Sequence, residues 1–259
     1  MKNFMFILTK EIRSYFNSPV AFVVATIFAV LTGYQFYVIF AKFSQLSFEV
    51  QTNPAMASQY GALNVTEMVI RPFFNVVAVV MLIMLPMLTM RAFAEEWKAG
   101  TMELLLTFPV RDEEAIMGKF AGCMAIFLLM LLLSLPSVAL VGYFGNPEWE
   151  VVITGYMGLF LMGGAFVSMG LFMSSITENQ VIAAALSFAA LLILYMVGYT
   201  AGLVGETTGK VLEYLSIMFH FQKFAKGVLD TSDIIYYLIF TALFLFLSMR
   251  SLESKRWRG

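Results

Sequence analysis

Residues 72–90 read PFFNVVAVVMLIMLPMLTM, a run of nineteen residues without one charged side chain. A helix needs about 20 mostly apolar residues to cross the hydrocarbon core of a bilayer. The run therefore predicts a transmembrane helix. Pro86 lies inside it and lacks a backbone N–H, so neighbouring helices are expected to satisfy the carbonyl that is left without a donor.

Five further segments are long and apolar enough to cross a bilayer: 19–40, 119–144, 150–173, 180–203 and 234–249. Of the 259 residues, 60% are hydrophobic and 13% are charged, whereas about 25% are charged in a typical soluble domain. These numbers predict an all-α membrane protein with one transmembrane domain over residues 1–259. The net charge of −1 excludes a broadly basic nucleic-acid-binding protein, and the single cysteine excludes a disulfide within the chain.

Three stretches outside the spans have their own character. Residues 2–18 place apolar side chains at helical spacing and predict a separate interfacial helix that ends before Pro19. A frayed extension of the first span is the alternative. Residues 41–71 are predicted as an outer loop that turns at Asn53-Pro54, and residues 204–233 as an outer amphipathic segment, either one helix or a broken pair.

The distribution of basic residues predicts the orientation of the chain in the membrane. With the N-terminus inside, eleven Lys and Arg residues fall on the inner side and five on the outer side. Because basic residues are enriched in cytoplasmic loops, both termini and residues 91–118 are expected in the cytoplasm. The expected location is a bacterial inner membrane, with lipid as the surrounding medium.

The spans themselves contain no energy-coupling chemistry. Residues 72–90, 120–144, 151–173, 180–203 and 234–249 include no Asp, Glu, Lys, Arg or His. Transporters driven by an ion gradient keep ionisable groups at membrane depth in spite of their cost. If this protein does work, the energy is therefore expected to arrive from outside the chain.

Three local patterns resemble catalytic or binding motifs but lack parts of them. The segment from Gly205 to Lys210 has three residues between its glycines and a valine after the lysine, so it departs from a phosphate-binding loop. Glu95-Glu96 has no histidine in a span to form an intramembrane protease. His220 is the only histidine and predicts a hydrogen-bonded or interfacial side chain rather than a metal ligand.

The polar stretch after the second span reads RAFAEEWKAGTMELLLTFPV over residues 91–110. Gly100 is expected to break a first helix, and Thr101 to cap a second one with Glu103 in its first turn. A short helix with charges beside an apolar tip suits a groove on a soluble partner. A solvated loop whose leucines pack under the bundle is the alternative.

This stretch, followed by Gly118-Lys119, resembles the cytoplasmic motif of export-type (type 2) ABC transporter permeases. The similarity is greatest to the subgroup of gliding-motility and nitrous-oxide-reductase maturation permeases. It implies a coupling helix within 91–108, a connecting helix at 2–18 and six spans. It also implies two permease copies, identical or related, each carrying a soluble ABC ATPase subunit.

The resemblance implies that the chain is a transport subunit and not an enzyme, and that ATP hydrolysis takes place on a separate partner chain. ATP and Mg²⁺ are expected on that ATPase, and no cofactor is expected in this chain. The residues expected to contact the ATPase are Lys10, Glu11, Arg13, Arg91, Glu95, Glu96, Trp97, Lys98, Gly100, Thr101, Glu103, Leu104 and Leu105. A membrane anchor or assembly factor without transport activity is the alternative function.

Two further sets of residues follow from the spans alone. Polar-tipped side chains that are candidates for lining a pathway are Tyr34, Gln35, Tyr37, Tyr195 and Tyr199. A belt of tyrosines at the membrane interface explains some of them equally well. Gly118 and Gly122, like Gly170 and Ser174, have the four-residue spacing that lets helices approach closely, either between copies or within one chain.

Overall fold

The computed structural model describes residues 2–53, 63–100 and 112–256. Its ten α-helices in these residues are α1 (Lys2–Asn17), α2 (Pro19–Thr52), α3 (Arg71–Thr89), α4 (Ala94–Lys98), α5 (Asp112–Phe144), α6 (Trp149–Ile176), α7 (Gln180–Thr200), α8 (Glu206–Leu215), α9 (Ile217–Ala225) and α10 (Thr231–Arg256). A π-helical turn covers Thr66–Ile70 and a 3-10 turn covers Ala201–Leu203. Six helical segments are long and apolar enough to cross a membrane, so the predicted all-α membrane class is confirmed.

The first helix is separate from the first spanning helix because the chain breaks at Ser18. The Ser18 hydroxyl accepts a hydrogen bond from the Val20 backbone N–H at 3.3 Å, and Pro19 occupies the first helical position, where a missing N–H costs nothing. The predicted end of the N-terminal helix before Pro19 therefore agrees with the structure. Its place in the membrane interface stays a prediction.

The prediction of an outer loop over residues 41–71 is wrong at both ends. Helix α2 continues to Thr52, because Phe40 and Phe43 on its later turns pack against the core. On the other side, the π-helical turn leads directly into α3. The Thr66 backbone N–H donates to the Asn64 side chain at 2.8 Å and starts this turn.

Helix α6 is the centre of the bundle and packs against α3, α5, α7, α9 and α10. Glycines on its surface let aromatic rings of its neighbours lie directly on its backbone. A Cβ on Gly155 would lie 2.1 Å from the Phe74 ring, and one on Gly163 would lie 2.0 Å from the Phe127 ring. In lipid the hydrophobic effect does not drive helices together, so they associate through close van der Waals packing, which small residues such as glycine allow.

The bundle has two distinct ends. We call the end formed by α1, α4 and the last turns of α10 the terminal face; there the Lys255 ammonium lies 4.2 Å from the centre of the Trp97 ring. We call the opposite end, covered by α8 and α9, the distal face. Ser216 separates α8 from α9 and caps α9 by accepting from the Phe219 N–H at 3.3 Å, so the broken pair is the correct form of the predicted amphipathic segment.

Candidate functional site

The position of α4 on the terminal face is set by one serine of the central helix. The Ser174 hydroxyl accepts hydrogen bonds from the backbone N–H groups of Phe93 and Ala94, each at 3.0 Å, and donates to the Met90 carbonyl at 3.0 Å. The first backbone N–H groups and the last carbonyl groups of a helix have no hydrogen-bond partner within the helix. The turn between α3 and α4 is therefore fixed to the end of α6.

Close packing of α3 on α6 supports this turn. A Cβ on Gly170 would lie 2.0 Å from the Thr89 hydroxyl oxygen. The glycine thus allows the last turn of α3 to lie against α6 one turn before Ser174. The small pair Gly170 and Ser174 acts within one chain.

A buried lysine joins three helices at the terminal face. The Lys119 ammonium of α5 lies 2.9 Å from the Glu11 carboxylate of α1 and 3.0 Å from the Glu96 carboxylate of α4. Its side chain is 3% exposed, and the Phe93 ring lies 5.1 Å from it. Lys10 adds a second cation at 3.3 Å from Glu96. We call Glu11, Glu96 and Lys119 the terminal charge cluster.

Two glycines bring α1 close enough to α5 for this cluster to form. A Cβ on Gly118 would lie 2.6 Å from the Ile7 side chain, and one on Gly122 would lie 2.9 Å from the Glu11 Cβ. The predicted small-residue spacing thus operates between α1 and α5 of the same chain. It places the backbone of Glu11 beside Lys119.

Arg91 connects the same region to the break between α1 and α2. Its guanidinium forms a two-bond pair with Glu95, at 2.7 Å and 2.9 Å, and also donates to the Ser18 hydroxyl. Such forked pairs fix geometry as well as charge. The start of α2 and the start of α4 are therefore linked through one side chain.

The structure gathers most of the residues predicted to contact a partner. Lys10, Glu11, Arg91, Glu95 and Glu96 surround a small cavity of about 100 Å³ on the terminal face. Glu11 differs from the others because it is only 7% exposed and faces Lys119. Its carboxylate binds Lys119 in the interior and is not presented to solvent.

Four other predicted contact residues lie nearby, and four lie outside the described residues. Arg13, Lys98 and Gly100 are exposed, while Trp97 is half-buried under Lys255. Gly100 has a backbone φ of 67°, a left-handed conformation that glycine adopts without strain, and it follows the end of α4 as predicted. The remaining four are Thr101, Glu103, Leu104 and Leu105.

A groove on the side of the bundle collects polar side chains from four helices. It has a volume of about 420 Å³ and is lined by Gln35, Asn75, Val76, Val79, Val80, Tyr195, Tyr199, Met218 and Gln222. The Tyr195 and Tyr199 hydroxyls lie 3.1 Å apart. The Asn75 amide donates to the Arg71 carbonyl at 3.1 Å, and its buried side-chain oxygen has no partner among the described residues.

The groove contains three of the five residues predicted to line a pathway. Gln35, Tyr195 and Tyr199 lie in it, whereas Tyr34 and Tyr37 are exposed elsewhere on α2 and are not among its lining residues. Asn75 and Gln222 were not predicted. Asn75 is the only polar residue in the first half of the apolar run 72–90. An isolated polar residue of this kind could have indicated a position that lines the groove.

A comparison with protein-family models gave a match over nearly the whole chain. The family model described as "ABC-2 family transporter protein" matches residues 5–257. A comparison with curated proteins found no match.

Proposed function

Because the chain belongs to the ABC-2 family of transporter proteins and is therefore a membrane permease subunit, we propose that a separate ATP-binding subunit drives it and that it works as an exporter. The ATPase would bind ATP and Mg²⁺ and would seat on the terminal face. The finer placement beside gliding-motility and nitrous-oxide-reductase maturation permeases rests on residues 91–110 and Gly118-Lys119 and stays a prediction.

One observation carries the proposal: the surface that an ATPase would contact is fastened to the spanning helices. Helix α4 is held to α6 by Ser174 and to α1 and α5 by the terminal charge cluster. Removing one partner of a buried ion pair costs about 3–5 kcal/mol. A push on α4 would therefore move α1 and the start of α5 with it rather than bend a loop.

The charges of the terminal face support its assignment to the cytoplasm. Lys10, Arg13, Arg91 and Lys98 lie on α1 and α4 or in the turn between α3 and α4, and Lys255 lies on the last turn of α10. Cytoplasmic segments of membrane proteins carry such an excess of basic residues. In this orientation both termini are cytoplasmic, and α8 and α9 lie on the outer side of the bacterial inner membrane.

The groove is suited to form one wall of a transport pathway, and a second permease copy would supply the opposite wall. Helices α2 and α7, which border it, are among the least buried spanning helices of the chain. Its polar side chains are all uncharged, and valines and Met218 form the rest of its lining. We therefore propose a cargo with a neutral hydrogen-bonding part and an apolar part, because the lining offers no counter-charge for an ion.

The test is to change exposed charges on the terminal face and measure recovery of the ATPase. The double variant Arg13→Glu/Lys98→Glu alters two side chains that point to solvent, so the fold should remain intact. We expect a soluble ATP-binding subunit to co-purify with the natural permease in detergent and to be lost from the variant. ATP hydrolysis stimulated by the permease should fall in parallel.

The matched control is Lys210→Glu/Lys226→Glu, which changes the same number of charges on the distal face. This variant should retain the ATPase. Equal retention by both variants would contradict the placement of the docking surface. Retention of the ATPase without ATP-dependent flux in vesicles would favour the alternative, a membrane anchor or assembly factor.

A further inference from the structure

The distal face contains a fully enclosed histidine with a hydrogen bond at each ring nitrogen. His220 of α9 is 2% exposed. Its Nδ1 lies 2.6 Å from the Asp233 carboxylate of α10, and its Nε2 lies 3.0 Å from the Tyr214 carbonyl of α8. Asp233 is itself completely buried. One imidazole thus joins three helices.

Both partners of the ring are hydrogen-bond acceptors, which constrains the number of protons. A carbonyl oxygen only accepts, so Nε2 must carry a proton. A carboxylate also only accepts, so the 2.6 Å contact requires a second proton, on Nδ1 or on Asp233. Without that proton the neutral ring has a single N–H, so a lone pair faces either the Asp233 carboxylate or the Tyr214 carbonyl, and one of the two contacts becomes repulsive.

The surroundings of the pair accommodate the protonated form. The Tyr236 ring stacks on His220 with centroids 3.9 Å apart, and the rings of Tyr214 and Tyr237 meet it edge-on. A cation over an aromatic face is stabilised by the ring quadrupole.

The charges around the pair balance when it holds its second proton. Lys223 lies 3.3 Å from Asp233 and 2.9 Å from Asp230. With an imidazolium the cluster has two positive and two negative groups. The titratable groups Tyr195, Tyr199 and Glu213 lie around a cavity on the other side of α9, with Met218 and Gln222.

The same short helix that carries His220 also borders the groove. Met218 and Gln222 of α9 line the groove, two residues before and two residues after His220. Tyr236 and Tyr237 add hydrogen bonds from α10 to the Leu215 and Ile217 carbonyls at 2.9 Å and 2.8 Å. The position of the groove's distal wall therefore depends on the contacts between α9 and α10.

We propose that His220 and Asp233 form a proton-dependent latch that holds α8 and α9 against α10 and thereby keeps the distal wall of the groove in place. With the shared proton bound, the ring donates to Tyr214 and bonds to Asp233, and the wall is held. Loss of the proton as the pH rises releases α8 and α9. The regulatory role rests on the proposed transport function, in which this face meets the outer medium, whereas the latch itself does not.

The latch is tested by hydrogen exchange of the permease alone in nanodiscs, at about pH 6 and about pH 9.5, a range that spans the usual titration of histidine. After correction for intrinsic exchange rates, amides of residues 206–225 should exchange about tenfold faster or more at the higher pH. A hydrogen bond to a charged group contributes enough for a change of that size. Amides of α6 should keep their protection at both pH values.

Two variants make the result specific. In Asp233→Asn the new amide can donate to the neutral ring, so protection should become independent of pH. Glu206→Gln changes an exposed acid on the same pair of helices and should keep the natural pH profile. Equal protection of the natural protein at both pH values, or an unchanged pH profile in Asp233→Asn, would overturn the latch. Because no ATPase or cargo is present, either result is separate from the fate of the transport proposal.

Discussion

The terminal and distal faces both contain buried charges, but they connect different parts of the chain. In the terminal charge cluster, Lys119 binds a carboxylate 108 residues away, and it joins helices from three regions. On the distal face, His220, Lys223 and Asp233 lie within fourteen residues of one another. The long-range cluster fastens separate helices into one unit, whereas the local cluster holds a short helical pair against its neighbour.

This difference suggests different mechanical roles. A unit of α1, α4 and α5 can transmit displacement, because its members are bound to each other through a side chain with almost no solvent contact. In the proposed latch the pair α8 and α9 opens, because its charged contacts are made by one histidine ring and by partly exposed groups.

The largest effect is expected at the buried lysine. Lys119→Met removes the cation that Glu11 and Glu96 share, and breaking a buried pair in this way should lower the free energy of unfolding by about 3–5 kcal/mol. The measurement is denaturant-induced unfolding in detergent micelles. The double variant Lys119→Met/Glu11→Gln should recover part of the loss, because one buried carboxylate is neutralised.

The matched control for this change is Lys210→Met on the distal face. Lys210 pairs with Glu206 at 2.8 Å, but the two side chains are 71% and 85% exposed, and such pairs contribute about 0–1 kcal/mol. Similar losses from both variants would show that the terminal charge cluster has no special role.

A smaller effect is expected where α1 approaches α5. In Gly122→Ala the new methyl group would lie 2.9 Å from the Glu11 Cβ, so α1 must shift and Glu11 must move away from Lys119. Overpacking of this kind typically costs about 1–3 kcal/mol. The same unfolding experiment measures it.

Gly33→Ala is the control for this substitution, since nothing lies within 4 Å of its new methyl group. It should be neutral or stabilising by up to about 1 kcal/mol, because alanine favours a helix more than glycine does. A loss in Gly33→Ala as large as that in Gly122→Ala would contradict the close contact.

The smallest effect concerns the exposed part of the distal cluster and is seen only in acid. Lys223 donates to Asp230 at 2.9 Å, and this bond, with further help from Ser232, lowers the pKa of Asp230 from 3.8 to about 2. Because the folded pKa is depressed, the contribution of Asp230 to stability is complete above its unfolded pKa and is lost as the pH falls towards about 2.

Asp230→Asn should therefore remove a pH-dependent contribution. Between about pH 4 and about pH 2.5, the thermal midpoint of the natural protein should fall more steeply than that of the variant. Parallel curves would mean that the bond between Lys223 and Asp230 does not persist in solution.

Local chemistry made the ends of several helices predictable. Ser18-Pro19 separates α1 from α2, and Gly100 follows the end of α4, because a proline and a left-handed glycine act on the backbone where they stand. The length of α2 was not predictable in this way. Its last turns depend on Phe40 and Phe43 reaching the core, which is a tertiary contact.

The exposed charges of the candidate site could be predicted from the sequence, whereas its buried ion pairs could not. The charges of 91–98 were visible as an interruption of an apolar chain. The pairing of Lys119 with Glu11 was not, because it depends on which face of α1 packs against α5. The same reason explains the groove: Gln35 faces it while Tyr34 and Tyr37 do not, and only the rotation of α2 distinguishes them.

The central claim is that the terminal charge cluster makes α1 and α4 move as one unit when the ATPase acts. Spin labels at Asn17, at the end of α1, and Ala99, directly after α4, allow the distance between the two helices to be measured in the assembled transporter, without nucleotide and with trapped ATP. Both positions are exposed and uncharged, and neither is among the residues expected to contact the ATPase. The account predicts the same distance distribution in both states, and a broadened one in Lys119→Met. A distance that changes with ATP in the natural protein would contradict it.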